Sequence, residues 1–399
     1  MKYRCFAAAR FARRLALLTL VGGALGAQAQ TRVLINPGDQ AEQSRFAVYN
    51  AWKTAIEQAL RKAAPGSSSA TAISTDATAD LQTTRSRIHD VYVAPAHVVG
   101  SAVRYGYTPV LGLDRPVQAV LVAPADSAIT SLAQAQGKRL GLPQQDSVVT
   151  YLLRGEINAA NTTIKRHFGP LFQTRYQDAL LPCLQLRRCD VVAVERAVFD
   201  RWSAAGEKLR VVMETRSVPG LSVALRDDSK VDAEGFRAAL GDALAAGAVL
   251  NDGSNTVALK GDDFKYVSTL GYFTPRSLSG AQVVDAAAVA QMLQRGARYI
   301  DTRTDAEFKA GHVPGARLVP YGEKSAKDAD YDASLDQFDT ASLGTDRSVE
   351  LIFACNGAEC WKSYKASQAA LKAGFTKVHW FRGGFPEWRD AGQKIAAGG

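Results

Sequence analysis

The chain has 399 residues, too many for one ordinary domain and suited to two or three; its 47% apolar content supports real cores and is too low for a membrane protein. The formal charge of +9 falls to +4 when the first 29 residues, with five basic and no acidic side chains, are set aside. No dense Lys/Arg block with interleaved aromatics occurs, which argues against nucleic acid as a partner, and there is no internal repeat.

Lys2, Arg4, Arg10, Arg13 and Arg14 form a basic start, Leu15 to Ala27 a short apolar run, and Ala27-Gln28-Ala29 a small-x-small site. This anatomy predicts a secretory signal peptide over residues 1–29, cleaved near Ala29. The apolar run is too short to span a bilayer, so a periplasmic mature chain without a membrane span is expected. Four cysteines then remain, as two local pairs: Cys183 with Cys189, and Cys355 with Cys360. An even count in an exported chain permits two disulfides, and a structural one is expected at Cys183 and Cys189. Neither pair has C-x2-C spacing and the histidines are scattered, so neither a metal nor a cofactor is expected.

Residues 30–274 alternate strand-like and helix-like segments, the pattern of an α/β fold with a mainly parallel sheet. Arg32–Ile35 reads as a strand and 41–62 as a helix; Pro65-Gly66-Ser67-Ser68-Ser69 reads as a break. Val91–Val93 is a strand, Ala96–Tyr105 a helix, Val117–Val122 a strand, Ile129–Ala135 a short helix and Arg139–Leu142 a strand. Asp146 or Ser147 can cap the helix from Val148. Val191–Val194 and Leu209–Met213 are further strands, and Phe236–Ala246 a late helix.

Four segments in order carry a resemblance. They are Ile88-His89-Asp90-Val91-Tyr92-Val93-Ala94-Pro95, then Ala125–Leu132 with Gly137-Lys138-Arg139, then Cys189-Asp190-Val191-Val192-Ala193-Val194, then Val218-Pro219-Gly220-Leu221. Together they resemble the periplasmic solute-binding proteins of the phosphate/phosphonate type. The resemblance implies a two-lobed, type II periplasmic-binding-protein-like domain with a ligand cleft between the lobes. A small anion is the expected ligand: helix N-termini near Ala96 and Ser147 can offer N–H donors, Ser147 and Thr150 can add hydroxyls, and Tyr92 can line the cleft.

Gly271–Arg276 can act as a linker to a second block over residues 278–396. From residue 280 onward there are 15 basic and 15 acidic side chains, so the modest basic excess belongs to the first block. Ala297–Ile300 reads as a strand ending at Asp301-Thr302-Arg303; Thr304 can cap a helix beginning at Asp305. Val349–Ala354 is an apolar run ending at Cys355, Asn356-Gly357-Ala358-Glu359 a tight loop, Ser363–Ala373 a helix, and Val378–Phe381 the last strand. A cysteine at a strand end, in a loop that opens a helix, is placed where backbone N–H groups and the helix dipole stabilise an anionic sulfur. Asp328, Asp330, Asp332, Asp336 and Asp339 have calcium-loop spacing, but Ala333 stands where glycine is needed, so a solvated acidic loop is expected.

Asp301–Phe308 with Gly311–Ala316, Cys355 with its loop, and Gly383-Gly384-Phe385-Pro386-Glu387-Trp388 together resemble the rhodanese family. The resemblance implies a five-stranded parallel α/β domain that transfers sulfane sulfur through a persulfide on Cys355. Asp301 and Arg303, at a strand C-terminus, are candidate site residues, with an ion pair between them as the structural alternative. The loop departs from the family pattern: Cys360, followed by Trp361, stands where an arginine usually meets an anionic donor. This is similar to exported rhodanese-like variants with a second cysteine. Three functions stay open: a sulfurtransferase or sulfur carrier, a silent interaction module attached to a binding protein, and a thiol–disulfide redox partner using Cys355 and Cys360 with another thiol protein.

Overall fold

The computed structural model of the protein describes residues 30–39, 42–250 and 253–398; the expected signal segment, residues 1–29, lies outside the described residues. Sixteen strands are found among them. The first eleven are β1 (Gln30–Ile35), β2 (Ser68–Ile73), β3 (Val91–Ala94), β4 (Tyr107–Leu113), β5 (Ala119–Pro124), β6 (Leu140–Pro143), β7 (Leu171–Thr174), β8 (Val191–Glu195), β9 (Leu209–Glu214), β10 (Ser222–Arg226) and β11 (Thr256–Val257). The last five are β12 (Ala281–Val283), β13 (Arg298–Asp301), β14 (Arg317–Leu318), β15 (Leu351–Ala354) and β16 (Val378–Phe381).

They form three sheets, ordered β11-β4-β10-β3-β1-β2, β7-β6-β8-β5-β9 and β12-β16-β15-β13-β14. The first two belong to two lobes of one α/β domain; the third is parallel throughout. Alternation of side chains explains why so many strands are buried on both faces. In the first lobe Val33, Ile35, Val91 and Val93 face a core with Trp52 and Ile56 of helix α1 (Glu42–Ala63), while Leu34, Tyr92 and Ala94 face the opposite way. In the second lobe Val120, Val122, Val192 and Val194 face one core, and Leu121 and Ala193 face another that is shared with the first lobe.

The two N-terminal sheets are mixed, not mainly parallel. The chain passes between lobes at Val117 and returns at Val218, and these two crossings pair backbone to backbone at 2.8 and 2.9 Å. The strand that follows each crossing, β5 or β10, enters its sheet against the direction of both neighbours. Three strands carry weak sequence signals. Ser68 and Ser69, expected in a break, begin the edge strand β2. β4 contains Pro109 and Gly112 and pairs with β10 across a bulge at Val223/Ala224. β7 is largely exposed.

Three further helices of the first domain matter below: α2 (Ala77–Ser86), α3 (Ala96–Arg104) and α4 (Val148–Ala159). Asp76 caps α2 by accepting from the backbone N–H of Thr78 and Ala79, and Ser147 caps α4 through Val149. The 271–276 linker is firmly docked. Arg154 donates to the carbonyls of Leu270 and Gly271 (2.7 and 2.9 Å) and lies 3.8 Å from the centre of the Tyr272 ring. Arg382 donates to the carbonyls of Thr274 and Pro275, both at 2.9 Å. The acidic loop is only partly solvated: the Asp336 side chain is 2% exposed and accepts from Tyr321 Oη, Lys324 N, Ser325 N and Ser325 Oγ. The fully buried Lys365 ammonium, 2.7 Å from Glu323, anchors the same loop from beneath. Among the described residues no group of side chains is arranged to hold a metal, and no helix is long and apolar enough to cross a membrane.

Candidate functional site: the Cys355 loop and the interlobe cleft

β15 delivers Cys355 to the C-terminal edge of the parallel sheet, where loops rather than strands face outward. Gly357 has φ +87°, and Cys360 N donates to Gly357 O at 2.9 Å, closing the loop before the helix Trp361–Lys372. The second glycine of Gly383-Gly384 has a steric role. Gly384 has φ +59°, and a Cβ there would lie 2.1 Å from the Cys355 carbonyl oxygen. That close approach lets Phe385 N donate to Cys355 O at 2.9 Å.

Cys355 is 1% and Cys360 4% exposed, and the structure pairs their sulfurs with Cα atoms 6.2 Å apart. Cys355 Sγ also lies 3.2 Å from Ser363 Oγ, a residue that sequence reasoning missed. Trp380 Nε1 donates to that same Oγ at 3.1 Å, which leaves the Ser363 proton free to serve an anionic sulfur. Indole, hydroxyl and helix N-terminus thus form a row of donors suited to an anionic sulfur. The signal for Ser363 is its place in the first helical turn after Cys360; Trp380, on β16, has no local signal.

Asp301 and Arg303 come together as a buried ion pair, with Arg303 Nη1 left without a hydrogen-bond partner among the described residues. Arg303 Nη2 donates to Asp301 Oδ2 and to Gly311 O, both at 2.7 Å, and its guanidinium lies 4.2 Å from the Phe385 ring centre. Burial opposes the charge on Arg303, but the Asp301 carboxylate beside it holds its pKa above the ordinary value. The pair therefore frames the sheet end as an ion pair. Glu307 belongs to a capping box with Thr304. Burial pushes its carboxyl up, but hydrogen bonds from Thr304 N and Oγ1 more than offset this and hold it below the ordinary value.

Asn356, Gly357, Ala358, Glu359 and Trp361 do not face solvent as an open active-site rim. Each meets the N-terminal domain or its linker. The Ser86 hydroxyl is 2.9 Å from both Asn356 Oδ1 and Glu307 Oε1. Thr274 N and Oγ1 donate to Ala358 O, each at 2.8 Å, and Trp361 Nε1 donates to Tyr272 O at 2.7 Å. Glu359 Oε2 sits 3.6 Å from Arg85 and 3.4 Å from Arg104.

The interlobe cleft holds a small cavity of about 60 Å³ between β1, the α2 N-terminus, the start of α3 and the cap of α4. Ser147 lines it; Ala96 is buried beside Pro95 and His97, which line it. Thr150 is turned away, donating to Pro143 O at 3.2 Å. Tyr92 is buried in the core, where its hydroxyl donates to Thr83 Oγ1 at 2.8 Å, and burial raises its pKa well above the ordinary value. The cavity wall instead carries Asp39, Arg45, His97, Asp146 and Arg175. Asp39 Oδ2, Arg45 Nε and His97 Nδ1 are buried there without a hydrogen-bond partner among the described residues. Burial lowers His97 to about 4, so it is neutral near pH 7. Burial and the neighbouring Asp39 raise Glu195 to about 7, and burial raises Asp80 to about 7.

Cys183 and Cys189 pair in the second lobe with Cα atoms 5.3 Å apart, inside the apolar core that contains Leu180, Val192 and Trp202.

Residues 41–260 match the family model for the periplasmic substrate-binding protein of ABC phosphonate transporters, and residues 285–391 match the rhodanese-like domain. Thiosulfate sulfurtransferase 16 of Arabidopsis thaliana, a chloroplastic protein, is 35% identical over 101 residues, 25% of this chain and 81% of that protein. The uncharacterized protein YqhL of Bacillus subtilis is 31% identical over 103 residues, 26% of this chain and 67% of that protein. Among solved structures, a binding-protein component of a Pseudomonas aeruginosa phosphonate transporter aligns with TM-score 0.47 and 17% identity, covering 61% of this chain and 85% of that one. PhnD1 of Prochlorococcus marinus, in complex with methylphosphonate, aligns with TM-score 0.47 and 14% identity, covering 60% of this chain and 96% of that one.

Proposed function

This chain belongs to the phosphonate-type periplasmic substrate-binding family and carries a rhodanese-like domain, and from that premise we propose that it is an exported sulfane-sulfur carrier. Cys355 is the sulfur-accepting thiol and Cys360 its resolving thiol. The observation that carries the reading is the setting of Cys355 Sγ: at pairing distance from Cys360, and 3.2 Å from a hydroxyl whose oxygen is already engaged by Trp380.

The chemistry follows from these positions. The Cys355 thiolate attacks the terminal sulfur of a sulfane donor, the donor's remainder leaves with the bonding electron pair, and Cys355 becomes a persulfide. Ser363 and the helix N-terminus stabilise the anion in both states. If no external acceptor takes the outer sulfur, the Cys360 thiolate attacks Cys355 Sγ. Hydrosulfide leaves with the electron pair of the S–S bond, and a Cys355–Cys360 disulfide remains. A dithiol reductant must then restore both thiols, which makes a redox protein a partner. Asp301 and Arg303 hold the sheet end that presents Cys355 and do not touch sulfur.

The N-terminal domain takes a small anion in the interlobe cavity, where Arg45 and Arg175 supply positive charge and the Ser147 end of α4 supplies N–H donors. Export through the signal segment places both cysteine pairs in an oxidising compartment, where Cys183–Cys189 is a disulfide that stabilises its lobe. The deciding experiment is mass spectrometry of the reduced protein after incubation with a sulfane donor. An increment of about 32 daltons, one sulfur atom, is expected on the Cys355 peptide, because the thiolate is the accepting species. The same increment on a Cys360 peptide of Cys355→Ser, at the same rate, would show the nucleophile to be wrongly assigned.

A further inference from the structure

The Cys355 loop lies beneath the other domain, and one helix joins that contact to the interlobe cleft. α2 has ten residues, a rod of about 15 Å. Its first turn lies at the cleft: Ala77 and Thr78 line the cavity, and Thr78 Oγ1 donates to Asp146 Oδ2. Its last turn lies on the thiol loop: Arg85 meets Glu359 and Ser86 meets Asn356 and Glu307, while Gln82 accepts from Lys362 at 3.3 Å. Arg85 is 2% exposed, and its charge feels both Glu359 at the loop and Asp146 at the cleft.

The second domain answers at the other end. Lys327 reaches back to the cleft and lies 2.8 Å from Asp146 Oδ1, with the two side chains only 9% and 11% exposed. A second pocket of about 410 Å³ forms at this mouth, walled by Thr78, Asp146 and Arg175 on one side and Lys324, Ser325 and Lys327 on the other. Asp146 is therefore held at once by the α2 start, by Lys327 and, through its carbonyl, by His97 Nε2 at 2.7 Å. Lys327 thus stands at this mouth, bonded to a residue of the cleft wall.

We infer that the N-terminal domain seals the Cys355 loop, and that α2 and the Lys327–Asp146 bridge couple this seal to the interlobe cleft, so that ligand exchange in the cleft sets access to the thiol. The inference deepens the sulfur-carrier reading and rests on it for its purpose. Physically it needs only a docked interface with two arrangements, whose balance is biased from the cleft side.

The test measures exposure apart from sulfur chemistry. The full chain is reduced and then alkylated with iodoacetamide under native conditions, and the Cys355 peptide is followed by mass spectrometry. The wild type is expected to react slowly compared with its urea-unfolded form. Ser86→Glu places a carboxylate against Glu307 without altering the loop, and should accelerate labelling on the order of tenfold or more, since labelling tracks the open population. Asp146→Asn and Lys327→Ala touch neither the loop nor α2's last turn, yet both should also accelerate it. Thermal melts of each variant separate opening of the interface from loss of fold. Wild-type protein labelled as fast as the unfolded chain would overturn the seal. Asp146→Asn and Lys327→Ala labelled at the wild-type rate, with Ser86→Glu fast, would overturn the coupling. A Cys355 protected in the wild type and freed in Ser86→Glu, yet persulfidated in neither, would overturn the sulfur-carrier reading and leave the seal standing.

Discussion

The two cysteine pairs are buried to nearly the same degree, and their surroundings separate them. Cys183 and Cys189 lie among Val120, Val122, Leu180 and Val194 in the second lobe, and a Cβ on Gly141 would come within 2.7 Å of Cys189 Sγ. Aliphatic surroundings of this kind do not favour a charged sulfur. Cys355 and Cys360 span a strand end and a helix start, with a hydroxyl beside the sulfur and a charged interface over the loop. The lesson is that burial does not identify an inert thiol: the polarity and direction of the groups around it do.

The strongest way to break this contrast is at the sulfur itself. Cys355→Ser should abolish sulfane uptake, read as loss of the persulfide mass increment, whereas Cys183→Ala/Cys189→Ala should leave uptake at the wild-type level. Cys360→Ser should keep uptake and lengthen the persulfide's lifetime, followed by the same increment over time after the donor is removed; a lifetime equal to wild type would remove Cys360 from the resolving role.

Stability comes next. Arg303→Leu leaves Asp301 charged and buried without its partner and should cost about 3–5 kcal/mol, measured by urea unfolding of the rhodanese-like domain. A small loss would show that water or another cation reaches Asp301. Cys183→Ala/Cys189→Ala opens a short loop and should cost about 2 kcal/mol in the other domain.

The last effect is in pH. Burial raises Asp80 from 3.8 to about 7 in the folded state. Its contribution to stability is therefore fully present below about 3.8 and is lost as pH rises through about 7. The N-terminal domain should weaken as pH rises from about 4 to about 7 in thermal melts, and Asp80→Asn, which can still accept from Asn36 Nδ2, should flatten that slope. An unchanged slope would assign it to Glu195, which shares the direction and the range.

Much of both domains was legible because local chemistry points the same way as the fold. The Val91–Val93 run, the Ser147 and Thr304 caps, the Val378–Phe381 strand and the Gly383-Gly384 pair all state their structure in a few residues. Cys355 and Cys360 were readable for the same reason, since a thiol between a strand and a helix announces its own surroundings. The antiparallel entry of β5 and β10 was not readable, because strand direction depends on where the chain crosses between lobes and leaves no periodicity behind. β2 and β4 were masked by serine, proline and glycine, whose local preference for turns is overruled by pairing with β1 and β10.

The sequence by itself determined two α/β units, their order, the thiol and its second cysteine, because each is written in contiguous residues. Only the tertiary structure decided what covers that thiol. Trp380 on another strand, Ser86 and Arg85 on α2, and Tyr272 and Thr274 in the linker reach it across separations of 17 to 270 residues or more. It also decided that the cleft wall is Asp39, Arg45, His97 and Arg175, with Lys327 of the second domain at its mouth. The physical reason is the same in each case: a side chain's role at a distance depends on which buried polar atoms the folded chain brings within hydrogen-bond reach, and no local pattern encodes that.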